Sequence, residues 1–258
     1  MRSKTLFEFE DLSWFPDVLR TGMTDYLRYI FTLTGFYSPA VPLLSDTLSR
    51  TRHNTIVDLC SGSGGPWPQL ARKINATIIL TDLYPNLAAF GHIQTSTQNR
   101  IRFEEKSIDA TSVPTHLQGI RTVFSGIHHF SEDGVRAILG DAVRNDQPVA
   151  FFDGADRSLF SVLTIALVHP VAFVLLTPFF RPFRWSRLFY TYLLPLIPLC
   201  TVWDGIVSIL RLHDPNRLQH IAQKISGSGY HWRSGKVRNR YGFRIGYLIG
   251  YPHPPSEN

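Results

Sequence analysis

The chain has 258 residues, 44% of them hydrophobic, with a formal net charge of +6. This suits one α/β domain of ordinary size with additions, and its two cysteines, Cys60 and Cys200, exclude a disulfide framework or a zinc-ligand spacing, which points to a reducing, cytoplasmic setting. The positive charge argues only weakly for nucleic acid: the basic residues cluster at Arg181, Arg184 and Arg187 and at Arg233, Lys236, Arg238, Arg240 and Arg244, without following a helix face interleaved with stacking aromatics.

Met1 to Phe9 mixes charged and aromatic residues and lacks the apolar core of a signal peptide. Residues 1 to 50 carry apolar positions at helical spacing, rich in aromatics from Trp14 to Tyr37, and read as a helical cap. Most of these rings are expected to pack the cap onto the domain; Tyr26 is singled out as facing a cofactor.

Thr55 to Leu59 is a short apolar strand carrying Asp58, followed by the turn Cys60-Ser61-Gly62-Ser63-Gly64-Gly65. Glycines at 62 and 64 let backbone approach a ligand closely, and Asp58 is placed to organise the turn. A helix from about Pro66 to Ile74 leads to a second strand, Ala76 to Thr81, closed by Asp82. An acid about 20 residues after the first strand's loop is where α/β nucleotide folds bind a ribose. The third glycine of a dinucleotide fingerprint is replaced by Trp67, which disfavours NAD and FAD.

Thr122 to Gly126 forms a further strand followed by His128 and His129, at the carboxyl edge where open α/β sheets hold ligands. Adjacent residues point different ways, so at most one histidine is expected to face an acceptor as a base, the other reading being a loop hydrogen bond. No metal spacing surrounds the pair, and no metal is expected. Ser131 with Glu132 and Asp133 marks the start of a helix reaching about Val143. Pro148 to Asp153 is a fifth strand, with Asp153 expected to pair with Arg157, and Asp204 with Arg211.

Leu159 to Phe180 and Leu188 to Trp203 contain no Asp, Glu, Lys or Arg, and flank the basic aromatic turn Arg181 to Arg187. Residues 158–203 therefore form an apolar helical hairpin inserted between domain segments 51–157 and 204–258. Three placements stay open: a hairpin lying on an anionic membrane surface, a cap buried against the domain or a second subunit in a homodimer, and a full crossing, which four prolines and the positive-inside preference oppose. Tyr230 to Val237 and Tyr241 to Tyr251 are expected to pair as an antiparallel hairpin.

Asp58 to Gly64 resembles the first motif of the class I S-adenosylmethionine-dependent methyltransferases, with Cys60 in place of a glycine, and Asp82 matches their ribose-binding acid. Ser107-Ile108-Asp109-Ala110 is similar to their adenine-contacting segment, and Thr122 to Gly126 to their fourth strand. The segments Phe7 to Pro16, Asp58 to Trp67, Ile127 to Phe130 and Trp203 to Arg211 resemble a bacterial group within that class. The resemblance implies a Rossmann-like, doubly wound, mostly parallel sheet ending in an antiparallel hairpin, with S-adenosyl-L-methionine as cofactor. It places Asp58, Cys60, Ser61, Gly62, Gly64, Asp82, Leu83, Asp109, Ala110, Ser125 and Gly126 at the cofactor, beside Tyr26 of the cap; the strand-end positions make His128, His129 and Asp153 the candidates for the acceptor chemistry.

The expected function is methyl transfer to a hydrophobic or lipid-like small molecule. A non-catalytic membrane-associated scaffold and a nicotinamide oxidoreductase are the alternatives, and the set Asp58, Gly62, Gly64 and Asp82 argues against the first of these.

Overall fold

The computed structural model describes residues 6–154, 156–227 and 229–253. Its centre is a seven-stranded sheet: β1 (Thr55–Leu59), β2 (Thr77–Leu80), β3 (Ile101–Phe103), β4 (Ile120–Phe124), β5 (Val149–Asp153), β6 (Tyr230–Arg238) and β7 (Arg244–Pro252). Their order is β3-β2-β1-β4-β5-β7-β6, parallel except that β7 runs antiparallel to both β5 and β6. β1, β4 and β5 are buried on both faces, and the polar residues they carry are partnered there: Asp58 by the Ser61 and Thr122 hydroxyls and Arg121 by Asp141.

Helices cover both faces. α2 (Ala40–Thr51), α3 (Trp67–Leu70) and α4 (Leu87–Ser96) enclose one core, around Leu44, Ile56, Trp67 and Phe90. α5 (Glu132–Arg144) and α9 (Pro215–Ser226) enclose the other, around Val57, Val123, Ile138 and Ile221. The Ser131 side chain caps α5 by accepting from the Gly134 N–H, as expected. The predicted helix over 66–74 shrinks to Trp67–Leu70, after which the chain leaves through a turn.

The β6–β7 hairpin forms as expected. Asn239 Oδ1 accepts from the N–H groups of Tyr241 (3.0 Å) and Phe243 (3.1 Å), closing the turn around Gly242.

A third apolar cluster joins α1 (Asp17–Thr34) to the inserted region: Phe15, Leu19, Met23 and Tyr26 pack on Phe173, Phe180 and Ile197. The insertion comprises α6 (Leu159–Leu176), α7 (Trp185–Leu188), a π-helical turn over Phe189–Leu193, and α8 (Leu196–Arg211). The boundary drawn at residue 203 falls inside α8, which runs on without a break.

α6 is apolar on all its faces, which meet different surroundings. Ile165 and Ala172 line a cavity, Val168 both lines it and is exposed, and Leu159, Leu167, Val171 and Leu175 are exposed. Among the described residues, Leu159–Phe179 alone is a single helix long and apolar enough to cross a membrane, and a second candidate is bent by 78°.

The basic turn differs from expectation. Arg181 is exposed, but Arg187 is 2% exposed and donates to Asp25 Oδ2 at 2.8 Å, while Arg184 turns inward toward Asn86. Asp25, fully buried on α1, needs a cationic partner, and the turn folds back to supply it.

Candidate active site

Two cavities lie over the carboxyl ends of the strands. The first, about 650 Å³, is lined by the loop after β1 and by Asp82. In that loop Cys60, Gly62, Gly64 and Gly65 all have positive φ, a sharp reversal that glycine tolerates without strain. Cys60 accepts the same conformation at φ 57° despite its side chain.

Asp58 holds the loop from beneath. Its carboxylate accepts from the hydroxyls of Ser61 (2.6 Å) and Thr122 (2.6 Å), and burial pushes it up to about 6 against those bonds. Asp82 holds the loop from the side, Oδ2 accepting from Gly62 N–H at 2.7 Å and Oδ1 from Tyr84 N–H at 2.8 Å. Burial raises its carboxyl, and these two bonds work the other way.

Of the residues expected at the cofactor, Cys60, Ser61, Gly62, Asp82, Leu83, Ser125 and Gly126 line this cleft. Five do not. Asp58 is beneath the loop. Gly64 faces α4, where a Cβ would come within 2.3 Å of Ile93 Cδ1. Asp109 is exposed and turns back to accept from Thr111, and Ala110 is buried in the core beneath α5. Tyr26 stacks on Phe173 with centroids 3.9 Å apart and lines the second cavity. Its ring is held by helix packing that the local sequence does not reveal. Arg20, Thr24, Tyr84, Asn86 and Arg184 line the cleft without having been anticipated; only the cap and the inward turn bring the two arginines there.

The second cavity, about 310 Å³, is mostly apolar and enclosed by α1, α6 and α8. Met23, Tyr26, Leu27, Ile30, Phe31, Ile165, Val168 and Ala172 form its walls. Glu10, Leu27, Phe31, Ser125 and His129 line both cavities, so the two meet there.

At that meeting point, His128 and His129 stand with ring centroids 4.5 Å apart. His128 Nδ1 is 3.1 Å from Asp153 Oδ1, and His129 Nδ1 is 2.8 Å from Asp11 Oδ1. Both rings line the second cavity, against the expectation that at most one would. The reason is the 3-10 turn Ile127–His129, which sets adjacent side chains closer in direction than an extended strand end does.

The expected Asp153–Arg157 and Asp204–Arg211 pairs are absent. Asp153 faces His128, while Arg157 donates to the Leu212 carbonyl. Asp204 accepts from the backbone N–H groups of Phe9 (2.8 Å) and Glu10 (3.1 Å), and Arg211 donates to Glu8 (3.1 Å) and Asp11 (2.6 Å). Thus Asp204 on α8 pins the N-terminal segment across the cavity mouth, delivering Glu8, Glu10 and Asp11 to the histidines. Nothing in local spacing announces a contact between residues about 120 positions apart.

The charges there interact strongly. Burial pushes Glu10 up to about 8, opposed by His129 and reinforced by Asp204 and Glu8. Burial works against a charge on His129, but the hydrogen bond it donates to Asp11 and the carboxylates of Glu8, Asp11 and Glu10 outweigh it, and the imidazole rises to about 9.

No protein-family model and no curated protein matches the chain. Solved structures do. The methyltransferase domain of bacterial CtHen1 is 14% identical with a TM-score of 0.51, the match covering 84% of this chain and 99% of that one. The S-adenosylmethionine-dependent methyltransferase SibL in its apo form is 13% identical with a TM-score of 0.51, covering 84% of this chain and 55% of that one. An O-methyltransferase family protein from Burkholderia thailandensis is 14% identical with a TM-score of 0.48, covering 85% and 57%. This chain therefore spans little more than half the length of the last two. Sheet order, the antiparallel β7 and the first two of these likenesses agree: the chain has the class I S-adenosylmethionine-dependent methyltransferase fold.

Proposed function

We propose that this chain transfers a methyl group from S-adenosylmethionine to a hydrophobic small molecule, working at a membrane surface. The observation that carries the reading is the junction of a polar cleft built on the glycine loop with an apolar cavity, through Glu10, Leu27, Phe31, Ser125 and His129. A two-substrate displacement needs both reactants held close and in line in a dry site.

The cleft fits the cofactor. Arg184 and Arg20, the latter also bonded to Asp17 at 2.7 Å, line it and offer positive charge to a carboxylate, while Asp82 offers negative charge to ribose hydroxyls and Leu83 an exposed apolar face to the base. When bound, the cofactor supplies an electrophilic methyl group on a sulfonium. His128 and Asp153 do the remaining work: Asp153 accepts from Nδ1–H, leaving Nε2 as the acceptor of a proton from a hydroxyl in the apolar cavity.

Trp67 opposes the nicotinamide alternative, because its fully buried indole packs edge-on against Phe124 at 5.4 Å where a dinucleotide site needs a glycine. The exposed outer face of α6 supports the membrane setting, since its inner face walls the apolar cavity and an acceptor arriving from lipid meets this helix first. Calorimetric titration with S-adenosylmethionine and with NAD tests the reading, followed by transfer of labelled methyl into an organic extract of membranes. An absence of S-adenosylmethionine binding sinks it.

A further inference from the structure

Glu8 is 1% exposed, and its Oε2 lies 3.2 Å from His129 Nδ1 and 3.8 Å from His128 Nε2. The three atoms lie within 4.8 Å of one another, one from the N-terminal segment and two from the turn after β4. Ligand atoms about 2.0–2.1 Å from a tetrahedral ion sit roughly 3.3 Å from each other, close to these separations.

The surroundings are those of a built site. Asp153 Oδ1, 3.1 Å from His128 Nδ1, orients that ring with Nε2 toward Glu8, which is the outer carboxylate that metal-bound imidazoles characteristically have behind them. Ser208 Oγ donates to Glu8 Oε2 at 3.1 Å and Arg211 to Oε1 at 3.1 Å, fixing the carboxylate. Asp11 Oδ1, 2.8 Å from His129 Nδ1, stands beside the group as a further oxygen. Five carboxyl groups gather here, Glu8, Glu10, Asp11, Asp153 and Asp204, beside the guanidinium of Arg211. Such an enclosure attracts positive charge, supplied either by protons on the imidazoles or by a cation.

We propose that Glu8, His128 and His129 bind a divalent cation of the zinc class where the two cavities meet. One carboxylate and two imidazoles suit ions of intermediate softness rather than magnesium or calcium, which favour all-oxygen shells. The site stands on its own geometry. Its role rests on the methyl-transfer reading: a bound ion would act as a Lewis acid that lowers the pKa of an acceptor hydroxyl, Glu10, which lines the same cavity, would take the proton, and the hydroxyl oxygen would take the methyl group as the bond from methyl carbon to sulfonium sulfur breaks. In that state His128 is a ligand and Asp153 its positioning residue.

Cobalt(II) is the probe, because it occupies zinc sites and absorbs visibly. Chelator-stripped protein titrated with cobalt is expected to take up one equivalent with a visible band, and zinc is expected to abolish the band. Glu8→Gln and His129→Asn should each weaken cobalt binding at least about tenfold, and Asp153→Asn by about 10–100-fold. Melting curves identify which variants remain folded, and His129→Asn serves if Glu8→Gln does not fold. No band in the parent, or equal uptake by parent and folded ligand variants, overturns the site. S-adenosylmethionine affinity is measured on the same samples: normal cobalt uptake without cofactor binding overturns the methyl-transfer reading alone, and the converse overturns the ion site alone.

Discussion

Asp153 Oδ1 lies 3.1 Å from His128 Nδ1, joining the ends of two neighbouring strands. β4 and β5 pair in parallel with Phe124 opposite Phe152, so the residues just past their carboxyl ends emerge side by side over the cavities. Replacing Asp153 with Asn keeps the shape but no longer favours the Nδ1–H tautomer. Methyl transfer is expected to fall by about 10²-fold or more, with S-adenosylmethionine affinity unchanged. Single-turnover transfer beside calorimetry checks this, and an unimpaired rate removes Asp153 from the chemistry.

Asp82 both receives the loop and is placed for the cofactor, and two variants separate the roles. Asp82→Ala removes the acceptor of the Gly62 and Tyr84 N–H groups as well as the charge; cofactor affinity should drop by about 1–3 kcal/mol. Asp82→Asn keeps a carbonyl for one of those donors and should restore melting temperature more than affinity. Equal affinity in parent and both folded variants contradicts the assignment.

Arg187 is a structural cation. Cutting it to Met leaves Asp25 with only Arg28, whose Nη2 is 3.4 Å from Oδ1, and is expected to cost about 3 kcal/mol, a melting-temperature fall of roughly 6–12 °C. Exposed Arg181→Gln should change stability by no more than about 0.5 kcal/mol. Thermal denaturation of the two variants distinguishes them, and similar curves would mean that the turn does not fold back onto α1.

Stability should depend on pH between neutrality and mild alkali. His129 titrates near 9 in the folded chain against 6.5 ordinarily, and Glu10 near 8 against 4.5. In both cases the folded state holds the proton more tightly, so stability decreases as pH rises wherever the folded chain binds more protons. The His129 contribution is complete below about 6.5 and gone above about 9; that of Glu10 is complete below about 4.5 and lost through 8. With chelator present, melting temperature is expected to fall from pH 6.5 to 9, and His129→Gln to flatten the slope. A rising or level parent curve refutes the charge cluster.

Membrane contact should depend on the outer face of α6. Leu167→Glu with Val171→Glu places two charges one helical turn apart on exposed positions, while the cavity wall of Ile165, Val168 and Ala172 is untouched. Flotation with lipid vesicles should be lost while cofactor affinity persists. A parent that stays in the aqueous fraction ends the membrane reading.

The sequence by itself determined what is periodic or local. β1, β2, β4 and β5 are legible as β-branched and aromatic runs, the loop after β1 as glycines behind an acid, α5 from its Ser131 cap, and the terminal hairpin from its Asn-Arg-Tyr-Gly turn. These features depend on backbone preference and alternation over a few residues, so they survive without knowledge of neighbours. What only the tertiary structure decided was the company each charged or aromatic side chain keeps. Tyr26 went to the apolar cavity because Phe173, some 150 positions away, stacks on it. Arg187 was withdrawn from the surface because Asp25 is fully buried and its charge calls for a partner. Glu8 reached His128 and His129 because Asp204 holds the backbone of Phe9 and Glu10. Burial makes an unpaired charge costly, so such partners are selected by the whole fold, and spacing along the chain carries no trace of the choice.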